Sequence, residues 1–284
     1  MNCSTIDASA VKLIVSDVDG TLLDNKHELH PRNEAAILKI RKQYPDIPFV
    51  IATGKPFGAT ADIRKKLGLS DSPAIHTNGC LLYQNGHVTK EFTLDPSVVL
   101  DIVEMGRKDG KAVYLYVKDE VFQAVEDPAG RGGRTWFDVM KSFGEDIKLP
   151  TQALLQSVES GEIGVQKIVL LSDEKYVPDV RQKLTDNWGQ HFHLTQALSY
   201  AIELLPHLAS KSLALAELLP LYDITSDNVL VFGDGENDAS MLKMAKYGVA
   251  MANAMPVAKD SASYRTLSND EGGVGAALEV IFKL

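Results

Sequence analysis

The sequence predicts an α/β fold, a doubly wound parallel sheet carrying an inserted α+β domain. Two features of the outer parts of the chain predict the parallel sheet: short apolar runs recur with polar residues at their carboxyl ends, and helical patterns separate them. A third feature predicts the insertion. In the middle of the chain strand-like segments arrive in pairs, as they do in an antiparallel sheet.

Val11 to Val15 is apolar apart from Lys12 and runs into Ser16-Asp17-Val18-Asp19-Gly20-Thr21, a buried strand ending in carboxylates. Arg32 to Tyr44 has helical spacing, with Ile37, Ile40 and Tyr44 on one face. Pro31 suits the first helical position, where its missing N–H costs nothing. Phe49 to Ala52 ends at Thr53-Gly54, and Ala74-Ile75 ends near Thr77-Asn78-Gly79. Leu81 to Phe92 reads as a hairpin turning at Asn85-Gly86.

Val98 to Arg107 reads as a helix, Ala112 to Val117 and Val121 to Val125 as strands, and Asp127 to Arg134 as a Gly-rich loop. A strand at Gln166 to Leu171, a helix around Tyr176 to Trp188, and strands near Phe192 to Thr195 and Tyr200 to Leu204 complete the middle. Val229 to Phe232 returns to the first grammar and ends at Gly233-Asp234-Gly235. The expected division is a Rossmann-like core of residues 1–85 and 206–284 and an inserted domain of residues 86–205, a natural lid.

Composition excludes several classes. With 284 residues, 45% hydrophobic and 24% charged, the chain has room for about two domains and is neither disordered nor low in complexity. A formal net charge of -9 argues against a nucleic-acid-coating surface, which needs clustered Lys and Arg. Cys3 and Cys80 are too few for a disulfide framework or a four-ligand zinc site, so a reducing compartment is expected. Met1 to Ala10 lacks the basic start and apolar run of a secretion signal, and no stretch has the length of a membrane span, so a cytoplasmic protein is expected. Asn2-Cys3-Ser4 then carries no weight as a glycosylation triplet.

The chemistry concentrates at strand ends. Asp17 and Asp19 lie two apart, and side chains two apart on extended backbone share a face. Asp234 and Asp238 stand four apart across a turn opening a helix. Carboxylates about 4 Å apart repel by roughly 4 kcal/mol at an effective dielectric near 20, and a divalent cation would offset that cost. An all-oxygen donor set without His or Cys selects a hard ion, and Mg2+ suits a few carboxylates together with phosphate and water. Thr53 offers a hydroxyl, the Gly54 neighbourhood backbone N–H groups, and Lys211 near a helix start a compact positive charge. Together these suit a phosphoryl dianion.

Asp17-Val18-Asp19-Gly20-Thr21, Thr53-Gly54, Lys211 and Gly233-Asp234-Gly235-Glu236-Asn237-Asp238 resemble the four ordered motifs of the haloacid dehalogenase superfamily. The insertion after Asn78-Gly79 resembles the large α/β cap of its Cof-type phosphatase branch, and Gly248-Val249-Ala250-Met251-Ala252-Asn253-Ala254 is similar to a segment of that branch. The resemblance spans nearly the whole chain. It implies that Asp17 is the nucleophile, forming an aspartyl-phosphate, and that Asp19 is the general acid and then the base. It also implies Mg2+ held by the Asp17 carboxylate, the Asp19 backbone carbonyl and Asp234, with Asp238 as a direct or more remote ligand. Thr53, Gly54, Lys211 and Asn237 would bind the phosphoryl group.

Two departures from the family pattern stand out. Lys55 follows Thr53-Gly54 where relatives often carry Arg, which removes a bidentate fork. Ser212 follows Lys211 where Gly is common, and its hydroxyl is expected to be able to cap a helix.

Each motif also has a plain explanation. An isolated Asp-x-Asp-Gly is ordinarily a solvated turn, an isolated lysine a surface charge, and an acid at the position of Asp238 a complement to a helix dipole. Order and combination are what overturn these. Arg131-Gly132-Gly133-Arg134 is read as a loop rather than an RNA-binding segment, His191 and His193 as strand residues, and Gly272-Gly273-Val274-Gly275 as a turn before the last helix. The expected activity is Mg2+-dependent hydrolysis of a small phosphate monoester, such as a sugar or polyol phosphate, with no nucleic-acid or membrane partner. The alternatives are a phosphomutase and a non-catalytic phospho-acceptor. Asp19 argues against the latter, because passive phosphorylation needs no acid for a leaving alkoxide.

Overall fold

The computed structural model describes residues 2–127, 130–196 and 198–284. Met1, and Pro128 and Ala129 of the expected Gly-rich loop, lie outside the described residues. In chain order the first part comprises β1 (Leu13–Ser16), α1 (Pro31–Gln43), β2 (Phe49–Ala52), α2 (Ala61–Lys66), β3 (Ala74–His76), β4 (Leu81–Gln84) and β5 (His87–Glu91). The middle comprises α3 (Pro96–Asp109), β6 (Ala112–Val117), β7 (Glu120–Val125), α4 (Trp136–Lys141), β8 (Ile147–Lys148), α5 (Gln152–Glu159), β9 (Lys167–Leu171), α6 (Val177–Trp188), β10 (His193–Thr195) and β11 (Ala201–Leu205). The last part comprises α7 (Lys211–Leu218), β12 (Val229–Gly233), α8 (Ala239–Met244), β13 (Tyr247–Ala250), α9 (Pro256–Ser261), β14 (Tyr264–Arg265) and α10 (Gly273–Phe282).

The chain divides into two compact units: residues 1–54, 60–89 and 210–284, and residues 55–59 with 90–209. The first is built on an eight-stranded sheet of order β14-β13-β12-β1-β2-β3-β4-β5. Its pairs are parallel from β14 to β3 and turn antiparallel at β3–β4. The hairpin therefore belongs to this sheet, and β5 continues it beyond residue 85. β13 and β14 were not foreseen as strands, because a four-residue run containing Gly248 and a two-residue bridge carry little periodic signal.

Complete burial explains the apolar runs. All residues of β1, β2 and β12 are buried, as strands covered on both faces must be. α1 starts at Pro31, with the His30 ring accepting from the Arg32 N–H, and buries Ala36, Ile37 and Ile40. The last helix begins at Gly273, so only Gly272 (φ 67°) serves the expected turn. Gly273 to Gly275 lie in the helix, where small residues let its first turn approach Leu267 and Arg32.

The second unit holds a six-stranded sheet of order β10-β11-β9-β6-β7-β8, antiparallel except for β7–β8. One apolar cluster joins Ile102, Leu115, Ile168, Leu170 and Leu204. A second gathers Tyr114, Tyr116, Trp136, Val169 and Tyr200. Glu203 in β11 is buried and accepts from the Lys167 ammonium at 3.0 Å, and that ammonium lies 4.1 Å from the centre of the Tyr116 ring. Arg131 stacks on Tyr200 at 4.0 Å and pairs with Glu174, so this arginine is engaged within its own unit. His191 is exposed, and His193 is half-buried with its ring 6.4 Å from that of His207. Among the described residues no helix is long and apolar enough to cross a membrane.

Candidate active site

The site residues gather beyond the carboxyl ends of adjacent strands in the first unit, where a doubly wound sheet binds its ligands. Asp17 directly follows β1, and its N–H donates to the Phe232 carbonyl of β12 at 3.0 Å. Asp234 directly follows β12. The β1–β12 pairing therefore places together two carboxylates that are far apart in sequence.

Asp17, Asp234 and Asp238 each offer a carboxylate oxygen, all within 4.8 Å of one another. The Lys211 ammonium donates to Asp17 Oδ1 and to Asp238 Oδ1, both at 2.6 Å. Lys211 begins α7, whose N-cap is Ser210: its hydroxyl accepts from the Leu213 N–H at 3.1 Å. The capping role open to Ser212 thus falls to Ser210. Ser212 lies inside the first turn, and its hydroxyl bonds those of Ser210 and Ser240.

Asp238 Oδ2 accepts from the N–H groups of Asp234 and Gly235, both at 2.9 Å. With Lys211 on its other oxygen, Asp238 holds the turn that carries Asp234 and orients the lysine. Asp234 Oδ1 accepts from the Thr21 hydroxyl at 2.7 Å. Gly20 (φ 74°) is needed beside it, since a Cβ there would lie 2.3 Å from Asp234 Oδ2.

The electrostatics follow from burial. Desolvation pushes the Asp17 carboxyl well above its ordinary range, with Asp238 and Asp234 adding to the rise and Lys211 opposing it. Asp234 is pushed up to about 7, first by burial and then by the charge of Asp238. Burial disfavours the Lys211 cation, yet Asp17 and Asp238 outweigh it and raise its pKa. Three carboxylates stand beside one ammonium, which bonds two of them, Asp17 and Asp238. The excess negative charge and the purely oxygen donor set fit a hard divalent cation such as Mg2+.

The remaining expected residues form a second group. Thr53 is buried, and its carbonyl accepts from the Asn78 N–H at 2.9 Å. A Cβ on Gly54 would lie 3.0 Å from Asn78 Oδ1, and that oxygen accepts from the Asn237 amide at 3.0 Å. Asn78 thus links Gly54 to Asn237. Asp19 lies near enough for its charge to raise the Asp234 carboxyl further; its Oδ1 lies 3.7 Å from the His27 ring, and its side chain is partly exposed.

Thr21 and Asn78 were missed as site residues. Thr21 had a signal, since it directly follows Asp-x-Asp-Gly. Asn78 had only its place at a strand end, but Thr77 (φ 51°), Asn78 (φ 57°) and Gly79 (φ 93°) take left-handed backbone in succession. Such strain is unusual for a β-branched threonine and marks constrained positions.

A sequence profile described as haloacid dehalogenase-like hydrolase matches residues 14–278. The chain is 38% identical over 290 residues to an uncharacterized hydrolase of Schizosaccharomyces pombe, covering 100% of this chain and 94% of that protein. It is 27% identical over 292 residues to a 5-amino-6-(5-phospho-D-ribitylamino)uracil phosphatase of Bacillus subtilis, covering 93% and 96% respectively. The crystal structure of a haloacid dehalogenase-like hydrolase from Bacteroides thetaiotaomicron superposes with a TM-score of 0.80 at 29% identity, covering 96% of this chain and 100% of that one.

Proposed function

The chain belongs to the haloacid dehalogenase-like hydrolases, and from that premise we propose that it is a Mg2+-dependent phosphatase of small phosphate monoesters, sugar or polyol phosphates above all. One observation carries the reading: Asp17, Asp234 and Asp238 converge beyond the ends of β1 and β12, with the Lys211 ammonium donating to Asp17 and Asp238. The Bacillus subtilis relative supports the substrate class, because the compound in its name bears a phosphorylated ribityl chain.

Asp17 attacks phosphorus. An Asp17–phosphorus bond forms as the bond from phosphorus to the substrate oxygen breaks, and Asp19 gives its proton to that leaving oxygen. Asp19, now a carboxylate, takes a proton from water. The water oxygen bonds phosphorus and displaces Asp17, which returns to a carboxylate as inorganic phosphate departs. The two displacements sum to ester plus water giving alcohol plus phosphate.

To attack, Asp17 must be ionised, and Lys211 favours that form against the desolvation that opposes it. Thr53, Gly54, Lys211 and Asn237 hold the phosphoryl oxygens, and Asn78 orients Asn237 through their 3.0 Å hydrogen bond. Asp17, Asp234 and the Asp19 carbonyl would hold Mg2+, with Asp238 steadying Asp234. When bound, the ion supplies positive charge against the carboxylates and against the phosphoryl oxygens.

We assign choice of substrate to the inserted unit. A cytoplasmic setting suits Cys3 and Cys80, both buried in the core. The test is release of inorganic phosphate from a panel of phosphorylated metabolites, with Mg2+ and with chelator. Chelator-sensitive phosphate release is expected. An isomeric phosphate ester accumulating without free phosphate would indicate a mutase, and stable phosphorylation without turnover a phospho-acceptor.

A further inference from the structure

Three asparagines, one in α1 and two near the C-terminal end, grip one short loop. The side-chain amides of Asn253, Asn33 and Asn269 donate to the carbonyls of Gly20, Leu22 and Leu23, at 2.8, 2.9 and 3.0 Å. Two are held in turn by the C-terminal part of the chain. Asn253 Oδ1 accepts from the Asn269 N–H at 2.9 Å, and Asn33 Oδ1 accepts from the Gly275 N–H at 2.7 Å. Asn33 and Asn269 are buried, so the Leu22 and Leu23 carbonyls have little access to water as a substitute, whereas Asn253 is exposed and holds the Gly20 carbonyl at the surface.

The gripped loop begins immediately after Asp19. Its other side is fixed by the Thr21 hydroxyl on Asp234, and the Met255 N–H donates to the Asp234 carbonyl at 2.8 Å. Residue 253 therefore touches the loop that follows Asp19, and residue 255 touches Asp234, which accepts from Thr21 of that loop. Asn253 itself touches neither Asp17 nor Lys211 among the described hydrogen bonds.

From this network we infer that Asn253 is a positioning residue for Asp19: its amide bridges the Gly20 carbonyl to the Asn269 backbone and sets where the Asp19 carboxyl stands. The inference rests on the proposed role of Asp19 as general acid. A displaced acid slows only those transfers that need its proton. An alkoxide leaving group needs it, whereas nitrophenolate departs readily without it. Because kcat/KM reports steps up to the first irreversible one, it isolates transfer to Asp17 from the later attack of water.

The experiment compares kcat/KM for ribose 5-phosphate and 4-nitrophenyl phosphate in the full-length protein and in Asn253→Ala, Asn253→Asp and Asp19→Asn. The aspartate substitution keeps the acceptor for the Asn269 N–H but loses the donor to Gly20, so N253D carries the test if N253A does not fold. For both Asn253 variants, the expected loss on ribose 5-phosphate is up to about 100-fold, the scale of a small misplacement of a catalytic group, and on 4-nitrophenyl phosphate under about 3-fold. Asp19→Asn should show the same imbalance more strongly. Equal losses on both substrates in the Asn253 variants, with Asp19→Asn still discriminating, would overturn the inference and leave the proposed function standing. Equal losses in Asp19→Asn would instead remove the general-acid reading on which the inference rests.

Discussion

Lys211 and Asp17, 194 positions apart in sequence, meet at 2.6 Å between ammonium and carboxylate oxygen, with both side chains buried. The same ammonium reaches Asp238, so one cation serves two acids withdrawn from water. Removing one partner of a buried ion pair typically costs about 3 to 5 kcal/mol, because the remaining charges lose their compensation. Lys211→Met should therefore lower the urea midpoint at neutral pH and abolish phosphate release. A variant as stable as the parent would show that the acids do not depend on this lysine.

Gly79 stands where no side chain fits. Its φ is 93°, and a Cβ would lie 2.2 Å from the Ser210 carbonyl oxygen, next to the start of α7. Gly79→Ala should cost more than about 1 kcal/mol through strain and shift Lys211 with the helix start, lowering activity as well. Chemical denaturation with a parallel phosphate-release assay checks both. Unchanged stability would mean that the chain relaxes there at little cost.

How much of this was legible in sequence depended on whether a signal was local. Phe49 to Ala52 and Ala112 to Val117 could be read residue for residue, since complete burial leaves an unbroken apolar run. The Asp17 and Asp234 clusters were legible as groups because each is contiguous. Short α4 and α5 were not foreseen, since six and eight residues give barely two turns of periodicity. Asn33, Asn253 and Asn269 were equally opaque. Their work is a hydrogen bond to a remote carbonyl, and neither an asparagine in the first turn of α1 nor one in a turn near the C-terminus carries a spacing that announces it. Ser210 and Ser212 show the same limit at closer range: either hydroxyl could have capped α7, and only backbone geometry chose Ser210.

Magnesium should stabilise the protein through the carboxylate group. At an ion concentration about 100 times Kd, binding to the folded state alone adds about 2.7 kcal/mol. The thermal midpoint should rise on adding Mg2+ and fall back with chelator, and Asp234→Asn should largely remove the response. An equal shift in the variant would place the ion elsewhere.

His193 gives the second unit a dependence on pH. Burial first, and the nearby His207 second, hold its pKa below 6.5. The unfolded chain therefore takes up a proton that the folded chain resists. Stability from the neutral ring is present above the unfolded pKa and is lost as pH falls through the folded one. Urea midpoints measured from roughly pH 8 down to 5 should fall less steeply for His193→Gln than for the parent. Parallel curves would assign the acid sensitivity to other groups.

The most direct test of the phosphatase reading is a rapid-quench experiment with phosphorus-labelled substrate and Mg2+. The account predicts transient, hydroxylamine-labile label on the peptide containing Asp17, together with loss of both label and phosphate release in Asp17→Asn. Phosphate release by Asp17→Asn at the rate of the parent, with no label on that peptide in either protein, would contradict it.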